Sequence, residues 1–187
     1  MGKLDFKTAF KYPFNRAKGM WNILWIFLPI IGWFTLGGYG VRIVQEFSKG
    51  KFKQLPILKF GSDLKLGFFM FLKALPFVLA YMLFGIIIGM VSDTINPWLN
   101  LIRIFTEIFV IPILAINFMN KETISSFFEF GIVKYVFTNL GDYIVAILKG
   151  ILLGIIFLIM IVVLVGLPAS SFTKNIFLAD FYRRRVK

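Results

Sequence analysis

The chain has 187 residues, of which 59% are hydrophobic and 18% aromatic, and its 21 Lys and Arg against 9 Asp and Glu give a net charge of +12. Cys and His are both absent from the sequence, which excludes disulfides, thiol nucleophiles, Cys or His metal sites and histidine acid–base catalysis. The composition predicts one all-α integral membrane domain, 1–187, without a separate soluble domain.

Four long apolar runs dominate the sequence, and each is near or above the ~20 residues that a helix needs to cross the hydrocarbon core. They lie at Trp21–Val41, Leu64–Val91, Leu99–Phe118 and Tyr143–Leu167. Because the runs are continuous rather than alternating at period two, they predict helices and not the strands of a barrel. We expect a polytopic protein of about four apolar helices with further amphipathic helices at the membrane interface.

Residues 1–19 form a basic leader before the first run. Its lysines and phenylalanines each recur at four-residue spacing, in the order Lys3, Phe6, Lys7, Phe10, Lys11 and Phe14. This pattern predicts an amphipathic helix that lies in the membrane plane. The leader is not followed by a small-residue cleavage site, so we expect it in the mature protein.

The first apolar run contains Pro29 and Gly32, so we expect it to be kinked or broken. A basic loop follows, which includes Lys51 and Lys53. Residues 60–75 then mix apolar and charged side chains, and we expect them to lie partly in the interface before the second run crosses the membrane.

Polar segments separate the remaining runs. The turn Ser92–Asn100, between the second and third runs, contains no Lys or Arg. Residues 121–139 mix polar and aromatic side chains and predict a second interfacial helix. Residues 168–187 predict a last amphipathic helix, which is strongly basic at its end.

Two Gly-x-x-x-Gly patterns, Gly85 with Gly89 and Gly150 with Gly154, lie 65 residues apart in the second and fourth runs. They indicate either an internal duplication or the general enrichment of glycine in membrane helices. Small residues let helix backbones approach closely in lipid, so these positions are candidate packing faces within the chain, in a homo-oligomer or with other membrane proteins.

Two arrangements in the membrane fit the sequence. Four spans place ten basic residues on one side and eight on the other, which is a poor division by the positive-inside rule. Re-entrant first and fourth runs place all eighteen on one side. We favour four spans, because the fourth run lacks a proline before its end. Both arrangements predict a multi-pass protein of the cell membrane with both termini in the cytoplasm.

Arg103 and Glu107 lie one helical turn apart near the middle of the third run. A charge at that depth needs a partner or water, and Lys149 in the fourth run is the candidate on another helix. A functional interpretation is an ion or proton relay, or a binding site. A structural interpretation, which we favour, is a pair that holds the helices in register.

Basic residues outside the runs are candidate contacts for anionic lipid head groups rather than for nucleic acid. Those that we single out are Arg42, Lys51, Lys53, Arg183, Arg184 and Arg185. We expect no enzymatic activity and no cofactor, because no Ser–His pair, no Gly-rich phosphate loop and no second deep carboxylate beside Asp142 is present. The predicted function is a lipid-contacting scaffold or accessory subunit of a membrane assembly; the alternative is a small oligomeric channel or transporter subunit that uses Arg103, Glu107 and Lys149.

One stretch of the sequence, about 29–76, has a distinctive pattern. It reads Pro29-Ile30-Ile31-Gly32-Trp33, Gly37-Gly38-Tyr39-x-x-Arg42-Ile43, Gly50, Leu55-Pro56, Asp63-Leu64 and Gly67. In these residues the chain resembles a family of prokaryotic membrane proteins catalogued as domain of unknown function four-zero-one-three. The resemblance implies a polytopic membrane fold and no catalytic residue.

Overall fold

The computed structural model describes residues 3–94 and 98–186, and within them the chain is helical without a β-strand. The all-α prediction is therefore confirmed. The helices are α1 Phe6–Lys11, α2 Ala17–Met20, α3 Ile31–Ser48, α4 Phe60–Thr94, α5 Leu99–Phe105, α6 Ile111–Lys121, α7 Val133–Thr138, α8 Leu140–Ile159, α9 Gly166–Thr173 and α10 Ile176–Arg185. A π-helical turn, Thr106–Val110, joins α5 to α6, and 3₁₀ turns lie at Phe14–Arg16, Trp21–Phe27, Ile124–Phe128, Phe130–Ile132 and Met160–Val163.

Three helical segments of the described residues are long and apolar enough to cross a membrane: Phe60–Met90, Leu99–Lys121 and Leu140–Val162. They contain the third predicted run and most of the second and fourth, so the chain is a membrane protein. At 1.5 Å per residue, the 35 residues of α4 extend for about 52 Å, well beyond a hydrocarbon core of about 30 Å. The turn expected at Ser92–Asn100 includes residues 95–97, which lie outside the described residues.

The first apolar run, Trp21–Val41, reverses direction instead of forming one long helix. A 3₁₀ segment ends at Phe27, Ile30 adopts φ 64°, and α3 then begins. The Trp33 indole Nε1 donates back to the carbonyl of Ile26 at 3.0 Å. Gly32 sits so close to the preceding segment that an added Cβ would lie 1.7 Å from the Trp25 oxygen. The expected break is therefore present, and the described residues hold three span-length helices rather than about four.

The fourth run also reverses. The 3₁₀ turn after α8 leads to Leu164 in the left-handed region, with φ 60°. At Gly166, where α9 begins, an added Cβ would lie 1.9 Å from the carbonyl oxygen of Phe157. α9 and α10 then return along α8, so that Arg184 near the end of α10 reaches Asp142 at the start of α8. In both runs the chain turns back, as the re-entrant arrangement, the less favoured of the two expectations, requires.

Helices α3 and α4 cross with their backbones in contact. A Cβ added at Gly38 would lie 1.9 Å from the oxygen of Asp63, and one added at Gly67 would lie 1.8 Å from the oxygen of Phe34. Only glycine fits at both positions without moving backbone. α3 nevertheless continues through Gly37 and Gly38 as one uninterrupted helix.

The leader packs inside the protein. Its Leu4, Ala9 and Tyr12 are buried, and Phe10 stacks on Phe157 of α8 with ring centroids 5.6 Å apart. Tyr12 lies edge-on to Phe47 of α3 at 4.7 Å, and burial raises the pKa of its phenol. The apolar stripe that predicted an in-plane helix therefore faces protein, while the lysines of the leader point outward.

Candidate functional site

The three C-terminal arginines surround two carboxylates. Asp180 is only 2% exposed and accepts from Arg183 at 2.6 Å and from Arg184 at 2.9 Å. The oxygen that accepts from Arg184, Oδ2, also accepts from the backbone N–H of Leu4 at 3.1 Å. Because i,i+3 and i,i+4 neighbours share one face of a helix, α10 supplies both partners of its own buried acid.

Asp142 in the first turn of α8 completes this network. It accepts from Lys3 at 2.8 Å and from Arg184 at 3.1 Å, and it also pairs with Arg185. The network therefore joins the leader, the start of α8 and the end of α10. Arg183 and Arg184, which we singled out as head-group contacts, have side chains that are only 7% and 11% exposed and hydrogen-bonded inside the protein.

Arg42 is also held inside the protein. It donates to both oxygens of Asp63, at 2.9 and 2.6 Å, and to the carbonyl of Ile57 at 2.8 Å. The side chain of Asp63 is 1% exposed and accepts in addition from the backbone N–H of Lys59 at 2.7 Å. This bidentate pair, which lies over the Tyr39 ring, fixes the α3–α4 crossing and the loop between the helices.

Lys51 and Lys53 are exposed, and within the described residues their ammonium groups have no ion pair. Their loop is tied to the leader, because Asn15 donates to the carbonyl of Lys53 at 2.7 Å and Arg16 donates to that of Leu55 at 3.2 Å. We call the exposed lysines of these two contacting segments the cationic surface. It consists of Lys7, Lys11, Lys18, Lys49, Lys51, Lys53 and Lys59.

A second cluster lies inside the candidate spans. Arg103 Nε donates to Glu107 Oε1 at 3.0 Å, and the hydroxyl of Tyr81 on α4 donates to the same oxygen at 2.6 Å. Tyr81 was not predicted; the signal for it is its place as a lone polar side chain in an apolar stretch. The expected partner Lys149 does not join the cluster, since its ammonium lies over the ring of Phe177 at 5.9 Å.

Glu107 belongs to the π-helical turn, and the sequence explains that turn. Pro112 has no N–H to donate to the carbonyl of Ile108 at i−4. The hydroxyl of Tyr143 on α8 donates to that carbonyl instead, at 2.8 Å. Such turns widen a helix locally and occur frequently at functional sites.

A cavity of about 410 Å³ lies between this turn and the break that separates α9 from α10. Glu107 and Pro112 line one part of it, Gly150 of α8 lines another, and Lys174 and Asn175 of the break complete it. A carboxylate and an ammonium group thus share one cavity at the discontinuities of two helices. Lys174, and not Lys149, is the basic residue that lines this cavity with Glu107.

Among the described residues, the glycines predicted as packing faces have open space where a side chain would extend. A Cβ added at Gly85, Gly89, Gly150 or Gly154 would meet no atom within 4 Å among the described residues. The close approaches are made by Gly32, Gly38, Gly67 and Gly166 instead.

A polar cavity of about 460 Å³ lies where α3, α6 and α10 end. The Tyr182 hydroxyl donates to the buried amide oxygen of Asn117 at 2.7 Å, and Gln45 donates to the last-turn carbonyl of Met119 at 2.8 Å. Lys121 and then Asn117 hold the pKa of Glu129 below its ordinary value by hydrogen bonding to the carboxylate. Gln45 thereby satisfies one of the last-turn carbonyls of α6, which lack partners within the helix.

Comparison with known proteins finds no matching family model, no matching curated protein and no matching solved structure. The resemblance found in residues 29–76 therefore stays a prediction. The structure itself shows an all-α membrane protein. The exposed lysines of the leader and of residues 49–59 form its cationic surface, and Glu107 and Lys174 line a cavity among its apolar helices.

Proposed function

We propose that this membrane protein is a non-catalytic, lipid-contacting scaffold or accessory subunit of a membrane assembly, and that its cationic surface binds anionic head groups. One observation carries the proposal: seven exposed lysines of two contacting segments have no carboxylate partner among the described residues. Each such residue at a membrane surface contributes about 1 kcal/mol of attraction towards anionic lipid.

The neighbourhood of the cationic surface supports this function. Trp21 is 70% exposed and Phe27 is 78% exposed in the reversed first run, directly after the leader. Exposed aromatic side chains beside lysines are typical of a membrane interface. The internally paired Arg42, Arg183 and Arg184 then stabilise the fold that presents the lysines.

The same distribution of charge supports an orientation. Residues 91–102, around the turn between α4 and α5, contain no Lys or Arg, and neither do residues 150–173, around the reversal after α8. By the positive-inside rule, the lysine-bearing segments and both termini face the cytoplasm of the cell.

Lipid counting tests the proposal. The purified protein in neutral detergent is titrated with phosphatidylglycerol or phosphatidylcholine at two salt concentrations, and bound lipids are counted by native mass spectrometry. The double variant Lys51→Gln/Lys53→Gln is compared with Lys65→Gln/Lys134→Gln, which removes two exposed lysines elsewhere. We expect a loss of about thirtyfold in phosphatidylglycerol affinity for the first pair only. Equal losses in both pairs, or no salt dependence, would contradict the proposal.

A second function, a small oligomeric channel or transporter subunit, is favoured by the cavity that Glu107 and Lys174 line. Interrupted helices with charged side chains at the interruption are typical of transporter sites. Flux of small ions into proteoliposomes distinguishes the two functions. A transporter loses flux in Glu107→Gln while its melting temperature holds; a scaffold shows no flux before the substitution.

A further inference from the structure

An apolar groove runs along the exposed side of α3. Its larger part, about 640 Å³, is lined by apolar residues of α3 and α4 that include Trp33, Phe34 and Phe71. A smaller part of about 140 Å³ continues it, because Gly37 and Val41 line both. The larger part alone has the size of a typical small-molecule pocket, about 300–1,000 Å³.

The smaller part ends at the break between α9 and α10, where the lining becomes polar. Ser171, Lys174 and Asn175 lie there. Lys174 is exposed, and its ammonium has no ion pair or hydrogen bond within the described residues. Asn175 is the N-cap of α10, and its side chain makes no capping hydrogen bond. One end of the groove therefore presents an ammonium and an amide group to a ligand, while the other end is apolar.

We propose that this groove holds one acyl chain of an anionic phospholipid, whose phosphate group lies against Lys174. Charge decides between possible occupants. An apolar helix of another protein, or a zwitterionic lipid, would leave the lysine without a net negative partner among apolar helices, where an unpaired charge is costly. The phosphate of an anionic lipid satisfies the ammonium, and its chain covers the aromatic walls.

This inference rests on the proposed function for its choice of an anionic ligand, and it concerns a different site from the cationic surface. Lys174 also lines the cavity that contains Glu107. If the Lys174 ammonium paired with the Glu107 carboxylate rather than with a lipid phosphate, a substitution of Glu107 would alter lipid binding as much as a substitution of Lys174.

Two neighbouring glycines allow the groove to be filled without disturbing the fold. A Cβ added at Gly37 meets no atom of residues 3–94 and 98–186 within 4 Å, so Gly37→Leu extends into open space that the groove provides. A Cβ added at Gly38, the next residue, would lie 1.9 Å from the backbone oxygen of Asp63. Gly37→Leu therefore blocks the acyl chain while the α3–α4 crossing stays intact.

The experiment counts lipids that stay bound after extensive washing in neutral detergent. Wild-type protein and Lys174→Gln, Lys174→Arg, Gly37→Leu and Glu107→Gln variants are loaded with equal phosphatidylglycerol and phosphatidylcholine, and analysed by native mass spectrometry. We expect one retained phosphatidylglycerol in wild type, Lys174→Arg and Glu107→Gln. We expect occupancy to fall about tenfold in Lys174→Gln, where a charge-assisted hydrogen bond is lost, and in Gly37→Leu.

Several outcomes overturn the proposal. Retention of phosphatidylcholine equal to phosphatidylglycerol refutes the role of the phosphate charge, and unchanged retention in Lys174→Gln refutes the role of the lysine. A loss in Glu107→Gln as large as in Lys174→Gln assigns the ammonium to the other cavity. Lys51→Gln/Lys53→Gln should keep the groove lipid, so failure at the groove and failure at the cationic surface are separately visible. If Gly37→Leu does not fold, the Lys174→Gln and Lys174→Arg pair decides alone, because that side chain is exposed.

Discussion

The α3–α4 crossing and the α4–α5 hairpin have similar ingredients: glycines, which lie on both helices of the crossing but only on α4 of the hairpin, and an arginine paired with a carboxylate. At the crossing, Gly38 and Gly67 bring two backbones together, and Asp63 is 1% exposed beneath Arg42. At the hairpin, no atom of the described residues lies within 4 Å of a Cβ added at Gly85, and the Glu107 side chain is 42% exposed beside Arg103. The surroundings, and not the residue types, make the first pair a fixed part of the fold and leave the second on the surface of the chain.

The largest loss of stability expected from this comparison follows substitution of Arg42. Arg42→Met leaves the carboxylate of Asp63 buried without its cation, which costs about 3–5 kcal/mol of unfolding free energy. Thermal unfolding in detergent measures the loss, with Lys65→Met as the control at an exposed position of α4. A change in Arg42→Met no larger than in the control would show that the crossing does not depend on the pair.

A smaller but still large effect is expected for Gly38→Ala. Its methyl group would collide with the Asp63 carbonyl, and the overpacking costs about 3 kcal/mol because backbone has to move. Gly85→Ala, with open space around its added methyl group, should leave the melting temperature unchanged. Equal destabilisation by the two substitutions would mean that the hairpin glycines also hold helices together.

The Arg103–Glu107 pair, which is exposed on apolar helices, can be compared with the buried Arg42–Asp63 pair for its contribution to stability. Arg103→Gln and Glu107→Gln should each lower the melting temperature in nanodiscs, by less than Arg42→Met does. The double variant should recover part of the loss, because neither charge is then left alone in hydrocarbon. Additive losses in this double-mutant cycle would rule out a pair and favour separate roles for the two residues.

The smallest effect is expected at Glu129, which lies outside the candidate spans and pairs with Lys121 at the end of one of them. Because hydrogen bonds lower the pKa of Glu129 below 4.5 in the folded protein, the stabilisation is present above pH 4.5 and is lost as the pH falls through the folded-state pKa. Melting temperatures from pH 7 to pH 3 should therefore fall slightly less steeply in Glu129→Gln than in wild type. An identical pH profile would assign the acid sensitivity to other carboxylates.

Much of the fold follows from local pattern. Four apolar runs without period-two alternation predict about four long helices, of which the second, third and fourth runs form the three span-length ones, and Pro29 with Gly32 predicts the break in the first run. The reversal at Leu164 has no such signal, because a leucine rarely adopts a positive φ and the close contact at Gly166 depends on the position of Phe157.

The candidate sites likewise contain some contacts that the sequence predicts and others that it does not. The sequence predicts the pair of Arg103 and Glu107 because both residues lie in one apolar run, whereas Tyr81 joins the pair from α4 and Lys174 lines the adjoining cavity from the break between α9 and α10. The C-terminal arginines carried a local signal that pointed inward: Asp180 lies three and four residues before Arg183 and Arg184. Gly38 and Gly67 form no spacing motif, since their contact is between helices that are distant in sequence.

The meeting of Lys3, Asp142 and the arginines of α10 has a consequence for biogenesis. During synthesis α8 leaves the ribosome before α10, so Asp142 and the leader have to wait for partners that are translated later. Asp180 and its arginines lie on one helix and emerge together. The leader, α8 and α10 therefore close into one network only after α10 has been made, and until then the incomplete protein exposes these surfaces to the insertion machinery and to chaperones.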